Sequence, residues 1–222
     1  MEDYSIWHRW RCCSACRSLG YSPLPIELPF PLARPTLALG GQLKATFALG
    51  RGRHAFLSHH LGDLDNLKSA QEYEAAMTHY QALYRITPER LVHDLHPDYV
   101  STRHALASPL ERRAVQHHHA HLASCLAENQ LHGPAIGVSF DGTGYGCDGA
   151  LWGGEFPLGD YRSVVRAAHL LEVAMPGGAQ AIREPWRMAA ACLHAAGLDA
   201  NHRAGGAGRH GTGRQGLSVR VT

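Results

Sequence analysis

Thr36-Leu37-Ala38-Leu39, Ala45-Thr46-Phe47-Ala48-Leu49 and His54-Ala55-Phe56-Leu57-Ser58 are three short apolar runs, separated by Gly40-Gly41 and by Gly50-Arg51-Gly52. Runs of this length punctuated by glycine read as three antiparallel strands joined by hairpins. Upstream, Ser22-Pro23-Leu24-Pro25-Ile26 leads through Pro29, Pro31 and Pro35. Proline fixes φ and constrains the residue before it, so this stretch reads as an extended lead-in or linker. Downstream, the apolar residues from about Asn66 to Tyr84 fall at helical spacing, with Asp65 or Asn66 as the cap. A strand then fits Leu91 to Leu95, and a second helix fits about Pro109 to Glu128. Ala135 to Phe140 reads as a strand ending in the turn Asp141-Gly142-Thr143-Gly144-Tyr145-Gly146, with Ala150 to Phe156 as its hairpin mate. Residues 163–173 add a strand, and 179–197 are apolar at helical spacing. The order βββ-α-β-α followed by a new β-hairpin is that of a duplicated α/β unit whose second copy is cut short.

At 222 residues with 45% apolar side chains, the chain is long enough to bury a core. A formal charge of +2, with no Lys/Arg block, argues against nucleic acid as a partner. No stretch approaches the roughly 20 apolar residues of a membrane span, and Met1-Glu2-Asp3-Tyr4 does not open a signal peptide, so a cytoplasmic location without membrane contact is expected. The cysteines at 12, 13, 16, 125, 147 and 192 are irregularly spaced, which fits reduced thiols. Cys13-Ser14-Ala15-Cys16 lacks the second pair of a zinc ribbon, and Cys125 and Cys192 lie on apolar helical patterns where cysteine acts as a small hydrophobe. The tail from Asn201 to Thr222 has almost no large apolar side chains and is expected to be disordered. The expected division is a lead-in over 1–19, a first lobe over 20–132, a truncated second lobe over 133–198 and the tail over 199–222.

Seventeen histidines raise the prior for a metal site. Val115-Gln116-His117-His118-His119-Ala120-His121 places His117 and His121 one turn apart on one helix face, where two imidazoles can grip one ion; His118 and His119 point elsewhere. A solvated polar face is the competing reading, and no Glu follows His117 to make a zincin motif. Asp141 opens the turn containing Gly142, Gly144 and Gly146; such turns bind phosphate through backbone N–H groups, and an adjacent Asp can hold a metal that bridges to it. The alternative is a hairpin in which these residues only supply turn conformations. Gly40-Gly41-Gln42-Leu43-Lys44 offers a second Gly turn followed by a cation. Asp94-Leu95-His96-Pro97-Asp98-Tyr99 and Ser58-His59-His60-Leu61-Gly62-Asp63 are polar clusters at strand ends, where α/β sites form but where turn chemistry also accounts for them. Arg183 and Arg187 are guanidiniums available to a phosphate or to nearby acids.

Read in order, Gly20-Tyr21-Ser22-Pro23-Leu24-Pro25, Leu37 to Lys44, Phe56 to Leu64, Asp94 to Tyr99, Gln116 to His121, Asp141 to Gly146 and Trp152-Gly153-Gly154-Glu155 resemble the HypF family of hydrogenase-maturation proteins. The resemblance covers about residues 16 to 198 and corresponds to the start of that family's C-terminal Kae1-like domain. It implies an α/β, actin-like ATPase fold with duplicated RNase H-like halves: a first half plus a truncated second half. It also implies a divalent metal, zinc or iron, with His117 and His121 at the two imidazole positions and Asp141 at the aspartate position. Gly40, Gly41, Lys44, Gly142, Thr143, Gly144 and Gly146 then fall at the turns expected to hold nucleotide or carbamoyl-adenylate. The family's chemistry implies a carbamoyl-adenylate, made from carbamoyl phosphate and ATP in a YrdC-like domain. Its carbamoyl group passes to the C-terminal cysteine of a HypE-type partner, on the way to a cyanide ligand of [NiFe]-hydrogenase. Gln42 and Ala45 stand where the family pattern has Glu and Asn, and the regions preceding this domain in full-length members are absent from the sequence. Two other readings stay open: a non-catalytic metal-binding or partner-docking remnant, and an actin-like ATPase or kinase, for which the His-rich helix is not required.

Overall fold

The computed structural model describes residues 24–198 and 219–221. Strand β1 (Ile26–Leu39) runs through the proline-rich segment, and β2 (Phe47–Leu57) returns antiparallel to it. The proline-rich stretch expected to be an extended lead-in or linker is therefore part of the sheet from Ile26 onward. Its prolines are tolerated because only Thr36 to Ala38 of β1 pair with a strand on the other side. Gly50 to Gly52 do not turn the chain: they continue β2 opposite irregular register shifts in β1, so two long strands replace the three short ones expected. Leu37 pairs with Leu49 and Leu39 with Phe47, and the period-two alternation sends all four side chains to one buried face.

Helix α1 (Leu67–Tyr84) follows as expected, capped by Asn66, whose side chain accepts the Ser69 amide at 3.0 Å. It lays Tyr73, Met77 and Tyr80 on that face, with Phe47 edge-on to Tyr73 and Tyr80 at centroid distances of 5.8 and 5.2 Å. Then come β3 (Arg90–Asp94), α2 (Val100–Ala107), β4 (Glu111–Val115) and α3 (His117–Glu128). The helix expected over 109–128 thus begins only at His117. Its first part is an edge strand, Glu-Arg-Arg-Ala-Val, with no apolar alternation to announce it; parallel pairing with β3 makes it one. The first sheet has the order β2-β1-β3-β4.

Beyond α3, β5 (Ala135–Ile136) starts a second sheet, and β6 (Gly144–Tyr145) and β7 (Leu151–Trp152) form a separate two-stranded hairpin against α3. Strands β8 (Glu155–Gly159) and β9 (Val164–Leu170) continue it antiparallel. The hairpin mate expected over 150–156 is thus divided between β7 and the start of β8. Helices α4 (Gln180–Arg183) and α5 (Trp186–Ala195) replace one continuous helix, because Pro185 starts the second. Within the tail, Val219–Val221 form β10 on the edge of β9; residues 1–23 and the rest of the tail lie outside the described residues. Both sheets open with an antiparallel pair, and α3 lies between them, touching β1 and β8. Gly137 meets Leu122 of α3, while Ile136, Val138, Phe140, Leu158 and Val165 leave the opposite face of the second sheet exposed. No described helix is long and apolar enough to cross a membrane.

Candidate metal centre

Three chain segments converge at the N-terminus of α3. The start of that helix is fixed by Gln116, whose Oε1 accepts the His119 amide at 3.0 Å and whose Nε2 donates to the Tyr145 carbonyl at 3.3 Å. One side chain thus caps the helix and ties it to the Gly turn. His117 and His121 then stand one turn apart, their Nε2 atoms 3.2 Å from each other. Asp141 Oδ2 lies 2.7 Å from His117 Nε2 and 3.6 Å from His121 Nε2, so one donor atom from each residue falls within a 4.8 Å cluster. The sequence-expected ligand set is brought together across 24 residues of chain.

Asp94 is the residue that spacing alone left undecided. It ends β3, is buried, and holds His117 Nδ1 at 2.6 Å. Its other oxygen accepts the His96 amide at 2.8 Å, and Thr102 of α2 donates to its carbonyl at 3.2 Å. A carboxylate behind a ligating imidazole fixes ring orientation and leaves Nε2 for the ion. Both ring nitrogens face carboxylates, Asp141 and Asp94, which push the His117 pKa up to about 9. Asp141 is correspondingly pulled well below the usual carboxylate range by His117 and His121. Tyr99 stacks on His96 at 4.2 Å and is pushed up to about 12 by burial and by the charges of Asp94 and Asp141, so its phenol stays protonated.

Of the other histidines, His118 is buried with Nδ1 against Gln116 at 3.1 Å, and burial lowers its pKa; its Nε2 has no hydrogen-bond partner among the described residues. His119 donates from Nε2 to the Asp160 carbonyl at 2.7 Å, fastening α3 to the second sheet. Neither faces the cluster.

The two Gly turns flank His117. A Cβ on Gly41 would lie 3.9 Å from His117 Cε1, and one on Gly144 would lie 3.0 Å from His117 Cβ and 2.5 Å from His118 Cε1. The first turn is clamped by α2: Ser101 donates to the Gly40 carbonyl at 2.7 Å, and Gln42 Oε1 accepts the Val100 amide at 2.9 Å. Not every glycine offers a free amide, since Gly40 donates to Thr46 and Gly146 to Ala150. Gly142 faces open space, and Lys44 adopts a left-handed φ of 50° with its amide on Asp63 at 2.7 Å. Beside Asp141, Gly142 and Thr143 opens a cavity of about 380 Å³ lined by Met175, Met188 and Cys192. Arg187 pairs with Glu184 at 2.7 Å. Cys125 and Cys192, on the apolar helical patterns of α3 and α5, are exposed.

Residues 31–128 match the model of the HypF Kae1-like domain, and residues 137–214 match that of the second subdomain of the carbamoyltransferase Kae1-like domain. A carbamoyltransferase HypF2 from Cupriavidus necator is 49% identical over 82% of this chain, and a carbamoyltransferase HypF from Synechocystis is 42% identical over 80%. The crystal structure of full-length HypF in its phosphate- and nucleotide-bound form superposes with a TM-score of 0.74, at 44% identity over 78% of this chain. The chain spans 23% of the length of each of these three proteins. The fold is therefore the α/β, RNase H-like fold of Kae1-like domains, and the chain belongs to the HypF family.

Proposed function

We propose that this chain carries the carbamoyl-transfer site of a HypF-type carbamoyltransferase in hydrogenase maturation. The donor in this reading is carbamoyl-adenylate, and the acceptor is the C-terminal cysteine of a HypE-type protein. The observation that carries the reading is the His117–His121–Asp141 cluster, backed by Asp94 and flanked by both Gly turns. Two imidazoles and a carboxylate make a donor set suited to zinc or iron(II), and the Asp94 contact leaves His117 Nε2 directed at the other two ligands. An ion held by His117, His121 and Asp141 would supply positive charge to offset that of a phosphate.

The remaining work falls to the chain itself. The exposed Gly142 turn presents its backbone to the phosphate, and the adjoining cavity takes the nucleoside. The partner's thiolate attacks the carbamoyl carbon; the bond from that carbon to the phosphate oxygen breaks and AMP leaves. The sulfur becomes the thiocarbamate, and no nucleophile from this chain is needed. Lys44, exposed in the turn after Gly41, is the cation that this reading assigns to an anion at the first Gly turn.

The test is metal content by elemental analysis, with His121→Ala and Asp141→Ala beside the wild type. It is followed by mass spectrometry of a HypE-type acceptor after addition of carbamoyl-adenylate. Near-stoichiometric zinc or iron that drops in both variants, together with one carbamoyl group on the acceptor cysteine, supports the reading. A folded wild type that takes up no metal overturns it.

A further inference from the structure

An ion pair in the second sheet, its carboxylate buried, takes no part in the chemistry above, yet it bonds the turn that packs against the loop carrying Asp141. Glu155, at the start of β8, is 1% exposed and accepts Arg166 Nε at 2.6 Å and Nη2 at 2.7 Å. Arg166, on β9, lies 4.4 Å over the Trp152 ring and 3.9 Å from Glu172. Glu155 Oε1 also accepts the Gly153 amide at 3.0 Å. The next amide, that of Gly154, donates to the Asp141 carbonyl at 3.2 Å. Gly153 packs so closely on the loop that a Cβ there would sit 2.6 Å from the Gly142 carbonyl oxygen. The Glu155 backbone pairs in both directions with Ser139, two residues before Asp141, at 2.8 and 2.9 Å.

A buried ion pair is a weak source of net stability, because desolvation cancels much of the attraction. What this pair does supply is a fixed acceptor for the Gly153 amide, next to the Gly154 amide that bonds the Asp141 loop. We infer that Glu155 and Arg166 are positioning residues for the metal centre: they hold the Gly153–Gly154 turn, and through it the Asp141 carboxylate against His117 and His121. The inference rests on the metal reading proposed above, so its test also needs a readout that requires no metal.

Two double variants of the full chain separate the roles. Glu155→Leu with Arg166→Met replaces the pair by apolar side chains of similar size; Glu155→Gln with Arg166→Met removes the charges but keeps an acceptor for the Gly153 amide. Cobalt(II) is titrated into each and its visible bands recorded, while amide hydrogen exchange is followed along the chain. The Leu/Met variant is expected to bind cobalt about 10- to 100-fold more weakly, the range typical of residues that orient ligands. It is also expected to lose exchange protection locally, between residues 141 and 154, and the Gln/Met variant to recover both. Wild-type affinity and protection in the Leu/Met variant overturn the inference. So does protection lost across the whole chain, or a Leu/Met variant that does not fold, since the pair is then structural only. A wild type that binds no cobalt removes the metal reading, and the localised exchange change still decides whether the pair holds the loop.

Discussion

In a chelator-treated preparation the protein should be stabilised by the proton on His117, and the magnitude follows from its contacts with Asp141 and Asp94. The His117 pKa is raised from 6.5 to about 9 in the folded state by its bonds to Asp141 and Asp94. A group whose folded pKa is raised contributes stability that is fully present below its unfolded pKa and is lost as pH climbs through the folded value. The window is therefore pH 6.5 to about 9. The shift corresponds to at most about 3 kcal/mol. Because Asp141 is 37% exposed, screening reduces this toward about 2 kcal/mol. The lowered pKa of Asp141 is the same interaction seen from the other partner and adds nothing above pH 6. Urea unfolding of chelator-treated wild type and His117→Asn at pH 6 and pH 9.5 measures the difference. The wild type should lose about 2 kcal/mol more than the variant over this interval; equal losses in the two proteins refute the reasoning. Added zinc reverses the trend, since the ion replaces the Nε2 proton and affinity should rise about tenfold per pH unit below about pH 9.

Three further outcomes follow from named contacts. Asp94→Asn keeps the shape behind His117 but removes the charge, and zinc affinity measured against a competing chelator should fall about 10- to 100-fold, or about 1.4–2.7 kcal/mol; unchanged affinity in a folded variant removes Asp94 from the site. Gly144→Ala drives a methyl to 2.5 Å from the His118 ring and 3.0 Å from His117 Cβ, so thermal melts should show about 1–3 kcal/mol of destabilisation together with weakened metal binding. The apolar row of Ile136 (71% exposed), Val138, Phe140, Leu158 and Val165 is expected to drive self-association. Sedimentation velocity should show it reduced in Ile136→Lys with Val165→Lys, and an unchanged distribution counts against that patch.

Much of this was legible because local chemistry and tertiary structure agreed. Asn66 caps α1 as its side chain predicts, and His117 and His121 share a helix face as their spacing predicts. What was hidden depended on pairing between distant segments. Nothing in Glu111-Arg112-Arg113-Ala114-Val115 favours a strand over a charged helix start, and only the parallel partner β3 decides it. The prolines of β1 concealed a strand because a one-sided edge can spare their missing N–H groups. Asp94 carried a signal, an acid at a strand end before a polar turn, yet that pattern occurs wherever strands end. Its partner lies 23 positions away.

The same hidden pairing sets the geometry of the site. Parallel registration of β3 on β4 places Asp94 opposite Val115, and α3 begins two residues later at His117. The 2.6 Å contact between Asp94 and His117 is thus a consequence of sheet register. A strand advances about 3.3 Å per residue and alternates faces, so a slip of one residue would turn Asp94 away, and a slip of two would carry it about 6.6 Å along the strand, beyond reach of Nδ1. The helix contributes the second imidazole by its own periodicity, needing no further partner. Asp141 depends instead on the second sheet, where β8, through Glu155, fixes the approach of the loop. The cluster therefore depends on both sheets being in register with α3 between them, which ties the proposed metal centre to the folding of the two sheets together.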